Sequence, residues 1–373
     1  MAAFLWRGPS LATSGAKVSW SQLCYPHQEG GLGLKRIGEW NKAATVKHIW
    51  RLLTAKNSIW VDWVKAELLR GKCIWQVQAT GASSWAWRKI LESRKWFCGK
   101  FTVNIGNGAN TSLWFDHWLP NGSMLYNSCS ARVLASTGLP WNASVASIIR
   151  NGEWSFPSGH QGISAIWNTI RFKPNNQRED SIVWKGTASG IFSIASAWDF
   201  IRCKKDADPY ASIIWYPGNV PRFSFIHWLA ARGRLATMDL PHVQQLISSS
   251  TCVLCGLLPE THNHLFFECE YSRLVWGNIS SKINIRSPTL NWNLFMQWAA
   301  TRFKHKSKCS HYIARQAIST SIYVIWQERN SRVFKNQHKA ADTLTMEAIN
   351  IMRILFLHCH KPIPIALQNE WNL

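Results

Sequence analysis

The apolar positions of this chain fall into two rhythms, and they change along its length. Between residues 37 and 70, Trp40, Ala44, Ile49, Leu52 and Leu53 share much of one helical face, while Lys42, Lys47 and Arg51 fall mostly away from it. A second apolar set follows at Ile59, Trp60, Trp63, Val64, Leu68 and Leu69. The pattern predicts two basic amphipathic helices around the break TAKNS, and a third over 85–96. Residues 101–120, FTVNIGNGANTSLWFDHWLP, read instead as strand, tight NGAN turn and second strand. Residues 121–180 are loop-rich, with short helical pieces near 143–150 and 160–170, and 181–202 read as strand, TASG turn, strand and helix. After a linker over 203–220, Pro221 suits the first turn of a helix that runs to about Arg234. Residues 291–330 and 340–358 read as helices, with basic residues between them in RFKHKSK and RNSRVFKNQHK. The expected class is α+β, mainly helical: basic N-terminal helices (1–100), a small β-hairpin-containing mixed region (101–202), a compact segment over 215–278, and a helical C-terminal region (290–373).

Composition sharpens the picture. Hydrophobic residues make up 46% of the 373 positions and charged ones only 17%, which excludes a disordered tail. The net charge is +22, and it is concentrated at the ends: residues 1–100 hold 16 basic and 5 acidic residues, residues 301–373 hold 11 and 4. A polyanion is the natural partner of such a chain, and nucleic acid, RNA or DNA, is the expected one. Charge and proximity single out Arg232, Arg234, Lys304, Lys306 and Lys308 as candidate phosphate contacts, although any one of them is also an ordinary solvated cation. The 24 Trp are expected mainly in the core, with a few available to stack on bases. MAAFLWRGPS has no signal-peptide pattern and Ile351–Leu357 is too short to span a bilayer, so the expectation is a soluble protein of the nucleus or cytoplasm, with no membrane partner and its ten Cys mostly reduced.

Most polar motifs have plain structural readings. EGGLGLKR lacks the Gly-Lys-Ser/Thr ending of a phosphate loop and reads as a turn into a helix. Asp116 and His117 adjoin, but no second carboxylate is placed to help, so Asp116 is read as structural. One constellation carries chemistry: CVLCGLLPETHNHLFFEC. Cys252 and Cys255 form C-x2-C, and His264 and Cys269 follow five residues apart, within the range over which a helix end supplies two ligands. This Cys3His set suits one tetrahedral zinc ion. A closed four-ligand shell leaves no position for water, so the site is structural rather than hydrolytic. His262 remains an alternative fourth ligand; His264 is favoured, because His262 and Cys269 would lie two helical turns apart.

The string C-V-L-C … E-T-H-N-H-L-F-F-E-C … V-W resembles the zinc-binding domain of reverse transcriptases from LINE-type (non-LTR) retroelements of plants. The matching positions are Cys252, Cys255, Glu260, Thr261, His264, Leu265, Phe266, Cys269 and Trp276, which favours His264 over His262. FLWRG, KVSWSQLCYP, GGLGLKRIGEWNKA and IWRLL are similar to the stretch after the polymerase thumb, FSFIHWLAARGRLATMDL to the approach to the finger, and IWQERNSRVF to a helix after it. The resemblance thus implies a post-thumb-like region over 1–100 and the zinc-binding domain over 215–278. The departures matter as much. There is no Asp-Asp pair, which the polymerase needs, and residues 301–373 offer only Glu328, Asp342, Glu347 and Glu370 toward an RNase H site. The expectation is a non-catalytic fragment that binds zinc and nucleic acid and takes no small-molecule substrate. The alternative is a structural or protein-interaction module, or a translated retroelement relic without a selected role.

Overall fold

The computed structural model describes residues 6, 16–55, 57–158, 161–240, 250–288, 291–305, 307–358 and 371. The chain divides into two compact units, residues 35–203 and residues 1–34 with 204–373. The first therefore takes in most of the expected segments 1–100 and 101–202, and the second joins the N-terminal stretch to everything after residue 203. Among the described residues the helices dominate and the strands are few and short, as expected for a mainly helical α+β chain. No helix among them is long and apolar enough to cross a membrane.

In the unit 35–203, α1 (Ile37–Thr54) buries Ala43, Val46, Ile49 and Leu52, a stripe at the expected period shifted slightly from the predicted face. It packs against α2 (Trp85–Phe97) and α3 (Ile194–Ile201). Ser84 caps α2 and Ser193 closes a capping box on α3, which fixes where both helices begin. Aromatic rings fill the space between: Phe97 stacks on Phe101 at 4.7 Å and on Trp184 at 5.5 Å, and Trp75 stacks on Phe101 at 5.4 Å.

The strands are paired differently from the sequence reading. β1 (Phe101–Asn104) pairs with no strand within 105–120, where only its Val103 N–H donates to the His117 carbonyl at 3.1 Å. Among the described residues the one local strand pair is β2 (Ile149–Arg150) with β3 (Glu153–Trp154), whereas β1 runs antiparallel to β4 (Ser181–Trp184), in the register Phe101 to Trp184. The segment after β4 turns at Gly190 and enters α3 without forming a second strand. The cause is Asp180. Its carboxylate accepts the N–H groups of Gly106, Gly108 and Asn110 and the hydroxyl of Thr111, at 2.7–3.2 Å. The NGAN segment is thus wound around a carboxylate rather than closing a hairpin, and Asp180 draws β4 alongside β1. Asp116 is structural here, accepting from the Ser112 N–H and the Trp75 indole.

In the other unit, α4 (Pro221–Ala231), α5 (Glu270–Lys282), α6 (Trp292–Arg302), α7 (Cys309–Lys335) and α8 (Ala341–Leu357) enclose one core. α7 is its centre: every residue from Tyr312 to Trp326 is buried. RNSRVF, expected between helices, forms the last turns of α7, which ends where Asn336 adopts a left-handed conformation. The EGGLG turn belongs to this core as well. The Gly30 carbonyl accepts the Trp228 indole N–H, and a side chain on Gly31 would collide with the Tyr25 carbonyl.

Because Asp180 satisfies four donors of one loop, Asp180→Asn leaves several of them poorly paired. The expected loss of stability is about 1–3 kcal/mol, with faster amide exchange confined to residues 105–111. Urea unfolding together with hydrogen exchange measures both.

Candidate metal centre

The chain around residue 252 is built from tight local bonds. A single antiparallel bridge joins Thr251 to Pro259, the Cys252 N–H donates to the Leu258 carbonyl at 2.8 Å, and the Gly256 N–H donates to the Cys252 carbonyl at 2.8 Å. Gly256 takes the left-handed conformation (φ 71°) that lets the chain double back behind Cys255. Thr261 then caps the next turn, its hydroxyl accepting the His264 N–H at 3.0 Å. His264–Glu268 form a wide π-helical turn that stops at Cys269, the residue that opens α5. The wide turn brings His264 and Cys269 to one side, which an ideal α-helix would not do for positions five apart.

The outcome is a cluster in which one donor atom from each of Cys252, Cys255, His264 and Cys269 lies within 4.8 Å of the others. Cys252 Sγ and Cys269 Sγ are 3.9 Å apart, and Cys255 Sγ and His264 Nε2 are 3.4 Å apart. A tetrahedral zinc ion with bonds of about 2.3 Å to sulfur and about 2.0 Å to nitrogen needs edges of about 3.8 and about 3.5 Å. The donor set and its spacing fit that ion. Cys252, His264 and Cys269 are buried and Cys255 is partly covered. The Cys269 thiol is pushed down to about 5, first by the hydrogen bond from Cys252 and also by the N–H groups of Ser272 and Tyr271 at the start of α5. Cys252, the partner that keeps the proton, is pushed up by the same bond and by burial. A thiolate at a helix N-terminus is the form a metal takes up.

His262 is not in this cluster. Its ring packs edge-on against Trp292 at 4.7 Å and beside Phe266 at 5.1 Å, and burial pushes its pKa down to about 4. It is an aromatic packing residue, and His264 is the histidine whose ring nitrogen lies among the three Cys sulfurs.

The sequence reading missed what braces the cluster. Glu260 and Arg329 form a fully buried, bidentate ion pair, with the shortest contact 2.7 Å, and the Glu260 carboxylate also accepts the Met238 N–H at 3.1 Å. One helical turn on, Arg332 donates to the carbonyls of Val253 and Leu254, both at 3.0 Å and both inside the C-x2-C loop. Its guanidinium lies over the Tyr271 ring and pairs with Glu328 at 2.8 Å. The end of α7 therefore holds the metal loop through three charged side chains. The legible signal was the spacing of Glu328, Arg329 and Arg332, which puts all three on adjoining parts of one helical face.

The predicted basic contacts fare unevenly. Arg232 is engaged within the chain: it pairs with Asp208 at 2.6 Å, donates to the Gly30 carbonyl and lies over the Trp228 ring. Arg234, Lys304 and Lys308 are exposed. Lys306 lies outside the described residues.

Removing one partner of a buried ion pair strands the other charge. Arg329→Met should cost about 3–5 kcal/mol in urea unfolding, and adding Glu260→Leu should restore a large part of it. A single-variant loss well under 1 kcal/mol would show that the pair does not brace the fold.

Residues 192–276 match the family model described as zinc-binding in reverse transcriptase. The chain is 22% identical over 357 residues to a protein of Arabidopsis thaliana named "Putative ribonuclease H protein", an alignment covering 91% of this chain and 56% of that relative. The chain thus spans little more than half of that relative's length. It is also 24% identical over 120 residues to an uncharacterized mitochondrial protein of the same plant, covering 32% of this chain and 78% of the relative. No solved structure matches. The four-donor cluster therefore lies in a segment similar to the reverse-transcriptase zinc-binding family.

Proposed function

We propose that this chain is a zinc-ordered, nucleic-acid-binding module without a catalytic centre of its own, related to the C-terminal part of a LINE-type reverse transcriptase. The observation that carries the reading is the Cys252, Cys255, His264, Cys269 cluster, braced by α7. One structural zinc ion would close this shell with four protein ligands. It would fix the C-x2-C loop and the N-terminus of α5 relative to each other, and supply no reactive position. The net charge of +22 then supplies affinity for phosphates that does not depend on base sequence.

Carboxylates of the C-terminal region support the non-catalytic part. Glu328 is held by Arg332 and accepts the Lys339 N–H, and Glu347 pairs with the Lys339 ammonium at 2.7 Å. Asp342 is 3.5 Å from the Asn278 amide, and Glu370 lies outside the described residues. The described carboxylates Glu328, Asp342 and Glu347 are thus each engaged by a neighbouring donor.

Two measurements test the proposal. Purified chain should carry one zinc, lost or weakened in Cys252→Ser and His264→Ala and kept in His262→Ala; zinc retained in His264→Ala and lost in His262→Ala would reverse the ligand assignment. The zinc-loaded chain should bind oligonucleotides with little sequence preference and an affinity that falls steeply as salt rises from about 50 to about 200 mM. Affinity flat with salt would remove nucleic acid as the partner and favour a protein-docking module.

A further inference from the structure

Cations in the unit that holds the metal cluster gather around one groove of about 740 Å³. Its walls include Lys282 at the end of α5, Arg286 in the following loop, Arg302 at the end of α6 and Lys308 at the start of α7. No carboxylate lines it. Arg286, Arg302 and Lys308 are exposed, and among the described residues none of the three has an acidic partner. Four like charges around one concavity repel one another, and a bound polyanion relieves that repulsion while releasing its counterions. The same field reaches His311 on the groove wall. Its pKa is lowered first by burial, then by the nearby charges of Lys308, His305 and Arg315. The groove also has an aromatic wall. Trp298 lines it half-buried, backed by Phe295 at 5.5 Å and set edge-on to Phe303 at 5.3 Å.

We infer that this groove is the track for a single-stranded nucleic acid, with Arg286, Arg302, Lys308 and Lys282 on the phosphates and Trp298 as the face on which a base stacks. The inference rests on the nucleic-acid reading above and assigns it a place. A positively charged channel with an indole in its wall suits a strand whose bases are splayed out; a duplex keeps its bases stacked inside and gives an indole nothing to cover. The groove is also tied to the metal centre. α5 begins at Cys269, a member of the donor cluster, and ends at Lys282, about 20 Å away at 1.5 Å per residue. α7 begins beside the groove at Lys308 and carries Arg329 and Arg332 near its other end. Zinc that fixes the start of α5 therefore helps fix the groove's far wall.

The test uses the full, zinc-loaded chain and three fluorescent probes: an oligothymidylate, a single-stranded RNA and a DNA duplex. The groove variant is Arg286→Glu, Arg302→Glu, Lys308→Glu; a milder set, with Gln at the same three positions, serves if that one fails to fold. The control places the same charge change on the other unit, as Lys65→Glu, Lys72→Glu, Arg132→Glu, all exposed positions. The groove variant should lose at least about tenfold in affinity for single strands, and its salt slope should flatten by about 2, at about 0.7 per phosphate contact. The control should change only slightly. Trp298→Ala should weaken single-strand binding more than duplex binding. Equal losses in groove and control variants would mean diffuse attraction, which overturns the groove while leaving the nucleic-acid reading intact. A duplex bound as tightly as a single strand, with Trp298→Ala indifferent, would overturn the single-strand assignment. No binding of the wild-type chain to any probe at about 50 mM salt would overturn both readings at once.

Discussion

A fully buried charged pair is the constraint around which the metal-bearing unit is arranged. Glu260 and Arg329 lie 69 residues apart in sequence, yet they meet with almost no exposure. Taking both ions out of water is expensive, and only good geometry with further hydrogen bonds offsets it. Here the offset comes from two parallel contacts, the Met238 N–H and the face of Trp326 beneath the guanidinium. Such a pair tolerates few alternatives. It pins the segment before His264 to one level of α7, and Arg332 then pins the C-x2-C loop one turn further along. A metal knuckle of this size has little core of its own. This one borrows rigidity from a helix that lies beyond the matched family segment.

That dependence explains why the zinc site and the basic groove belong to one account. The cluster organises the beginning of α5 and the end of α7; the groove sits at the end of α5 and the beginning of α7. Two packed helices connect a closed, structural centre with an open, positive surface. In the proposed reading, metal binding and phosphate binding are linked through ordinary helix packing. No side chain needs to touch both.

Much of this was legible in the residues, and the parts that were not have physical reasons. The cluster followed from Cys and His spacing, because metal geometry restricts sequence tightly. α1, α2 and α8 followed from the apolar pattern and α4 from Pro221 at its first turn. The pairing of β1 with β4 was hidden, since Asp180 acts across about 70 residues and a local NGAN turn looks the same whether it closes a hairpin or wraps a carboxylate. α7 was underestimated, since a helix buried on every side shows no polar face, and its Arg315, Gln316 and Ser319 imitate surface residues. Arg315 spends its guanidinium on the carbonyls of His311, Ser212 and His305, and Ser319 bonds His227. Charge alone did not show the Arg232 ion pair for a related reason: a cation near a motif reads the same whether it faces solvent or Asp208. Arg286 was passed over, because it stands alone in sequence and meets Arg302 and Lys308 only in the fold.

The central claim is that the metal cluster and the long helix form one cooperative unit. Hydrogen exchange on the full chain, with zinc and after chelation, tests it most directly. The account predicts that chelation speeds exchange in residues 252–282 and also along the second half of α7, from about Ser319 to Lys335, with residues 35–203 unchanged. Faster exchange confined to the loop 250–270, with α7 as protected as before, would contradict it.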